Sequence, residues 1–202
     1  MRLGLFGGSF DPFHRGHLAV ARAALDAVGL GRVLVLPTGR PPHKPDRRFA
    51  PALARYAMAE LALLDEPRIE VSGLELDERR PSFTVETLER LREERAATEL
   101  VLIVGSDSLA QLDTWRRWRE IPDLCELAVV PRPGSERLDV EASLPAELAQ
   151  RLSNARVHWL EGSMHPAAAS RIRQLLAAGE AIPGDWLDPR VLTFIGKYSL
   201  YR

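Results

Sequence analysis

Leu3-Gly4-Leu5-Phe6-Gly7-Gly8-Ser9-Phe10-Asp11-Pro12-Phe13-His14-Arg15-Gly16-His17 opens the chain with an apolar run, a glycine pair and two histidines. The run from Leu3 to Phe6 is too short for a helix and stops at Gly7 and Gly8, the pattern of a buried parallel strand that turns sharply at its carboxyl end. The next segment has helical periodicity: Leu18, Val20, Ala21, Ala24, Leu25 and Val28 mark one apolar face, and Gly29 and Gly31 supply the stop. His14 and His17 therefore stand at a helix start, where their i, i+3 spacing turns both rings to one side. A helix start offers unpaired backbone N–H groups and the positive end of the dipole, so it favours anions. Two imidazoles add donors that become cationic beside a phosphate, and Gly16 lets that phosphate approach the backbone.

Two better-known phosphate loops are excluded by spacing. The chain has no G-x-x-x-x-G-K-[ST], and Gly4, Gly7 and Gly8 do not fit G-x-G-x-x-G. Asp11, His14 and His17 also permit a metal-binding reading, although metal-site histidines usually come with a further protein ligand and supporting partners, and neither can be read from this sequence. A third reading is structural, with one histidine capping the helix and the other packed in the core. The segment resembles the G-x-F-x-P-x-H-x-G-H signature of nucleotidyltransferases related to the catalytic domains of class I aminoacyl-tRNA synthetases. Gly8, Phe10, Pro12, His14, Gly16 and His17 occupy its fixed positions.

Outward from this stretch, strand and helix patterns alternate along all 202 residues. Strands are expected at 2–6, 32–36, 69–72, 99–104, 124–130 and 157–160, and helices at 15–28, 50–64, 83–95, 106–112, 145–152, 170–178 and 189–198. Such alternation predicts right-handed βαβ units and an α/β fold, a Rossmann-like, doubly wound parallel sheet with helices on both faces. In that architecture ligands bind at the carboxyl ends of the strands, where the first strand delivers the opening motif. Residues 134–145, rich in Glu, Asp, Ser and Pro, are expected to form a surface loop. The length suits one domain, 1–202, with a helical C-terminal part from about 165.

Composition narrows the function classes. A net charge of −1 gives no electrostatic case for nucleic acid as a partner. One cysteine, Cys125, forms no internal disulfide, and its apolar neighbours mark a buried thiol rather than a nucleophile. No apolar stretch is long enough for a signal peptide or a membrane span, so a cytoplasmic protein with no membrane partner is expected; a homo-oligomer is compatible with the sequence.

Four further segments carry chemistry. Arg40, His43 and Lys44 sit in a proline-stiffened loop directly after the second strand, in position for phosphate contact. Ser82 is placed to cap a helix carrying Glu86 in its first turn, with N–H groups there to hold a carboxylate. Gly105, Ser106 and Asp107 end a strand, and Trp115 and Trp118 come next at i, i+3, suited either to ligand stacking or to the core. Ser170 reads as the cap of a helix in which Arg171 and Arg173 add positive charge near the start. Cations there oppose the dipole, which becomes sensible beside an anion.

In this order the segments resemble the bacterial nicotinate-nucleotide adenylyltransferase family. Pro41 to Lys44 match its Pro-Pro-His-Lys, Arg80 to Leu88 its Arg-x-Ser-aromatic-Thr pattern, Gly105 to Trp115 its Gly-x-Asp pattern, Arg132 to Gly134 its Arg-Pro-Gly, and Val191 to Tyr201 its ending. The family's Ile-Ser-Ser-Thr-x-Ile-Arg becomes Ala167 to Arg173, with Ala168 and Ala169 replacing two hydroxyl donors. The resemblance implies adenylyl transfer from ATP to nicotinate mononucleotide, with Mg²⁺ bound mainly through the ATP phosphates and no metal ligands from the protein. His14 and His17 would be catalytic. Gly7, Gly8, Ser9, Phe10, Gly16, Lys44, Gly105, Asp107, Ser170, Arg171 and Arg173 would bind ATP and its phosphates; Ser82, Phe83, Thr84 and Trp115 would bind the nicotinate nucleotide. The alternatives are an adenylyltransferase for nicotinamide mononucleotide or phosphopantetheine, and a nucleotide-binding regulator without turnover.

Overall fold

The computed structural model describes residues 1–41, 48–131, 137–161 and 165–202. Six strands, β1 (Arg2–Gly8), β2 (Arg32–Pro37), β3 (Ile69–Val71), β4 (Glu99–Gly105), β5 (Glu126–Val130) and β6 (Val157–Trp159), form one sheet in the order β3-β2-β1-β4-β5-β6. Every strand pair is parallel. β2 and β4, which flank β1, are nearly continuous runs of Val, Leu and Ile because both of their faces are covered.

One face carries α1 (Arg15–Ala27), α2 (Ala52–Leu63), α8 (Ala169–Ala178) and α9 (Pro189–Lys197). Their buried residues, among them Ala21, Met58, Ile172 and Val191, pack with Phe10, Phe13, Val33 and Val101. The other face carries α3 (Thr84–Glu94), α4 (Ser106–Leu109), α5 (Ile121–Leu124), α6 (Arg137–Ser143) and α7 (Ala146–Ser153). Here Val85, Leu88, Leu109, Ile121, Val140 and Leu148 close over Leu3, Leu5 and Leu102. The sheet is thus doubly wound, as the alternation predicts.

Several boundaries differ from the sequence reading. The expected loop over 134–145 contains α6, held by an Arg137 to Glu141 pair at 2.9 Å and by burial of Val140. Its charged composition masks a single apolar contact with the core. The strand expected from 124 begins at Glu126, because Leu124 ends α5, a turn that Pro122 favours at its start. The helix expected over 106–112 breaks into α4 and a 3-10 turn at Leu112–Thr114. Cys125 is buried, and burial pushes its thiol up to about 12, as suits an inert core thiol.

Candidate active site

The order reverses at β1, which pairs with β2 on one side and β4 on the other, so the chain leaves β1 and β4 towards opposite faces of the sheet. The crevice beyond their carboxyl ends is where an open α/β sheet takes its ligand. Gly7 and Gly8 end β1 there, and Gly105 ends β4 beside the exposed Asp107 in the first turn of α4.

His14 is the N-cap of α1, with extended backbone. Its Nδ1 accepts the Gly16 N–H at 3.1 Å, and His17 Nδ1 accepts the His14 N–H at 3.2 Å, a capping box built from two imidazoles. The rings stack with centroids 3.7 Å apart. Since each Nδ1 accepts a backbone proton, the hydrogen-bond network assigns both neutral rings the Nε2–H tautomer. The pair therefore presents two Nε2–H donors along one side, as the i, i+3 spacing predicts. A proton on Nδ1 of either ring would displace its capping bond.

The N–H groups of α1, read as unpaired, are also taken. Arg15 N–H donates to Trp186 O at 2.9 Å, and His17 and Leu18 N–H donate to His14 O. The reason is tertiary: the loop before α9 folds over the helix start, and Asp188, the N-cap of α9, accepts from the side chain of Arg15 at 3.3 Å. Arg190 beside Asp188 holds that carboxyl below the usual range. Gly16 is likewise required by protein atoms. A Cβ there would stand 3.0 Å from the His14 ring and 3.1 Å from Ala167 O.

Phe10 adopts φ 45° and turns its ring into the core, edge-on to His17 at 4.9 Å and beside Phe13 at 5.4 Å. Its side chain supports the His17 ring from beneath rather than facing the crevice. Ser9 presents its carbonyl to Arg55.

Asp11 is buried and held by protein groups. Oδ1 accepts the Tyr201 hydroxyl at 2.7 Å and the Ala50 N–H at 3.2 Å, while Arg173 Nη1 donates to the Asp11 carbonyl at 2.6 Å and lies 3.7 Å from Oδ2. Among the described residues no cluster of three or more His, Cys, Asp or Glu side chains is arranged to hold a metal. Asp11 instead links the histidine loop to α8 and to the chain's ending. Burial, then Asp11, pushes the Tyr201 phenol upward.

Ser170 is not the cap of α8. That helix starts at Ala169 with Ala168 as N-cap and no side-chain cap bond, so Ser170 is exposed within the first turn beside the exposed Arg171. Ala169 has high helix propensity and extends the helix by a residue. Arg40 is exposed after β2, whereas Lys44 and His43, like Arg132 to Gly134, lie outside the described residues.

On the other face, Ser82, Phe83 and Thr84 meet the segment after the 3-10 turn. Phe83, not Ser82, is the N-cap of α3, because the Ser82 hydroxyl instead donates to Glu75 O at 3.1 Å. The guanidinium of Arg116 lies over the Phe83 ring at 4.6 Å and 3.6 Å from Glu86. Trp118 is core, whereas Trp115 is half-buried in extended backbone and packs with Phe83 against the same apolar cluster. Phe83 and Thr84, at the start of α3, and Trp115 thus belong to one face of the sheet, and His14 and His17, at the start of α1, with Arg173, on α8, to the other.

Two residues that the sequence reading missed stand between these halves. Arg55, on α2, is fully buried and donates to the carbonyls of Ala50, Ser9, Thr38 and Gly39 at 2.8, 2.7, 2.8 and 3.1 Å. Glu75 accepts Thr87 Oγ1 at 2.7 Å and Thr38 Oγ1 at 3.2 Å, and its carbonyl accepts Gly39 N–H at 2.6 Å. Burial pushes the Glu75 carboxyl up, against the pull of the two threonine hydroxyls. Arg55 sits in an ordinary amphipathic helix, so its sequence carries no signal; the Thr38 and Glu75 pairing is 37 residues apart.

Gly39 packs without slack against this brace: a Cβ would lie 2.7 Å from Leu76 C and O, both backbone atoms. Gly39→Ala is accordingly expected to destabilise by about 1–3 kcal/mol, read as a fall of several degrees in thermal midpoint.

The cytidylyltransferase-like family model matches residues 5–175. A protein of Chromobacterium violaceum named a probable nicotinate-nucleotide adenylyltransferase is 39% identical across 100% of this chain and 99% of its own length. One so named in Symbiobacterium thermophilum is 40% identical over 99% of this chain and 95% of its own.

The chain belongs to the nicotinate-nucleotide adenylyltransferase family, within the cytidylyltransferase-like nucleotidyltransferases.

Membership makes it a nucleotidyltransferase, and solved structures agree on the fold. Plasmodium falciparum nicotinic acid mononucleotide adenylyltransferase, complexed with NaAD, superposes with a TM-score of 0.80 at 16% identity, covering 99% of this chain and 97% of that one.

Proposed function

We propose that the chain transfers the adenylyl group of ATP to nicotinate mononucleotide, giving nicotinate adenine dinucleotide and pyrophosphate in NAD biosynthesis. The observation that carries this reading is the imidazole capping box at the start of α1, beyond the carboxyl end of β1, which turns both Nδ1 atoms to backbone N–H groups and makes Nε2–H the donor of each neutral ring. A phosphate oxygen of nicotinate mononucleotide attacks the α-phosphorus in line, and the bond to the pyrophosphate oxygen breaks. The nucleophile is already anionic, so no general base is needed; positioning and charge stabilisation carry the rate.

His14 and His17 donate to the α-phosphate region, where negative charge develops. Arg173, with Arg171, Lys44 and the first turn of α8, holds the outgoing pyrophosphate; the backbone N–H groups replace the donors lost at Ala168 and Ala169. Gly7, Gly8, Ser9 and Gly105 line the nucleotide's path, and Asp107 orients it. Ser82, Phe83, Thr84 and Trp115 hold the nicotinate ring and its carboxylate. Asp11 is bonded to Tyr201, Ala50 and Arg173, so Mg²⁺ would be held mainly by the ATP phosphates and water, and it would supply neutralisation of phosphate charge. Residues 1–202 act as one catalytic unit, with 165–202 completing the ATP side. Among the described residues no helix is long and apolar enough to cross a membrane, which fits a cytoplasmic setting.

The test is steady-state pyrophosphate release with ATP and either nicotinate mononucleotide or its amide. Because one lost charge contact is worth about 1.4 kcal/mol or more, the acid should be preferred at least about tenfold in kcat/KM. Preference for the amide would overturn the substrate assignment, and nucleotide binding without pyrophosphate from either would identify a regulator.

A further inference from the structure

We propose that Arg55 and Glu75 are positioning residues, which together clamp the Thr38–Gly39 segment between the ATP side and the pyridine side of the crevice and so set how the two substrates' phosphates approach. The proposal rests on the adenylyl-transfer reading. Neither side chain is placed there to touch a nucleotide.

The connections run continuously. Arg55 joins Ser9, in the histidine loop, to Thr38 and Gly39, directly after β2. Glu75 then takes the same two residues from the other direction, by its carboxylate at Thr38 Oγ1 and by its carbonyl at Gly39 N–H. That carboxylate also accepts Thr87 in α3, and the same carbonyl accepts Ser82, one residue before the cap of α3. Thr38 N–H closes the circuit on Gly8 O at 2.9 Å. Both carbonyls of the Thr38–Gly39 segment, the Thr38 hydroxyl and the Gly39 N–H are thus bonded to these two residues.

Energetics argue that this arrangement is kept for geometry. A buried guanidinium and a buried carboxylate are costly, and apolar residues of similar volume often serve stability as well or better. Burial pulls Arg55 down, and Asp11 and Glu78 offset this only through space. A planar fork with five donors is the one side chain that reaches the carbonyls of two loops and of the α2 start at once. In-line transfer is the step that needs such precision, since a misplacement of about 1 Å costs roughly a hundredfold. Each nucleotide keeps its own contacts when the brace is loosened, so kcat should fall while both KM values hold.

Initial rates with both substrates varied, together with melting curves, test this on the wild type and on Arg55→Met, Arg55→Lys, Glu75→Ala, Glu75→Gln and Thr38→Val. Arg55→Met and Glu75→Ala should lower kcat at least about tenfold, with KM for ATP and for nicotinate mononucleotide within about threefold of wild type. Lysine at 55, with one nitrogen, should not rescue; glutamine at 75, which still accepts a hydroxyl proton, should restore most of kcat. If folded Arg55→Met keeps kcat within about twofold, or if KM rises at constant kcat, the proposal is wrong. Should the Arg55 variants fail to fold, Thr38→Val decides: a severalfold drop in kcat at unchanged KM supports the brace, and wild-type kcat refutes it. A wild type that makes no dinucleotide overturns the underlying reading, whereas an active wild type with silent variants overturns the brace alone.

Discussion

His17→Ala is expected to lower kcat/KM for ATP and nicotinate mononucleotide by at least about a hundredfold, the usual size of a lost donor to developing charge. The ring has two duties, and they separate in experiment. Its Nδ1 accepts the His14 N–H and its face packs on Phe10 and Phe13, which are matters of stability. Its Nε2–H is the donor assigned to the reaction. A lost cap costs about 1 kcal/mol, and truncating a half-buried ring adds to that, so the variant should remain folded with a lowered thermal midpoint. Stopped-assay turnover beside a melting curve reads both. A folded variant with near-normal turnover would remove His17 from the chemistry.

Arg173→Ala should be comparable in rate and worse in stability. The residue is assigned to the outgoing pyrophosphate, and removing a cation from a leaving group costs about a hundredfold or more in kcat/KM. Its Nη1 also donates to Asp11 O at 2.6 Å, within reach of a nearly inaccessible carboxylate. Hydrogen bonds to charged groups are worth about 1.5–3 kcal/mol, so the melting temperature should fall by several degrees. Arg173→Lys should recover part of the rate and little of the stability, because an ammonium lacks the fork. An Arg173→Ala enzyme that loses stability but keeps its rate would leave this arginine as a tie to Asp11 and nothing more.

The two effects differ because of what each residue touches, and the same distinction explains what sequence reading reaches. Periodicity at Leu18 to Val28 and the apolar run to Phe6 are local signals, and α1 and the histidine pair stand where they indicate, while β1 runs on through the glycine pair to Gly8. The doubly wound order arises because alternating strands and helices leave few other arrangements. What escapes is tertiary. The α1 N–H groups look open in sequence, yet residues 186 and 188, far along the chain, come to sit beside them. Phe10 and Gly16 have packing duties that the motif does not announce: the ring supports His17 and the glycine makes room for Ala167 O. Ser82 and Ser170 both look like caps; the first bonds to Glu75 O instead, and the second is overtaken by Ala169. Arg55 and Glu75 have no local signal at all, since their meaning lies in the carbonyls and hydroxyls brought to them.

Product formation tests the central claim most directly. Purified protein is incubated with ATP, Mg²⁺ and nicotinate mononucleotide, and the dinucleotide and pyrophosphate are quantified together by chromatography and mass spectrometry. The expected result is nicotinate adenine dinucleotide and pyrophosphate in equal amounts, both dependent on nicotinate mononucleotide. ATP consumed without the dinucleotide, or no consumption at all by folded protein, would contradict it.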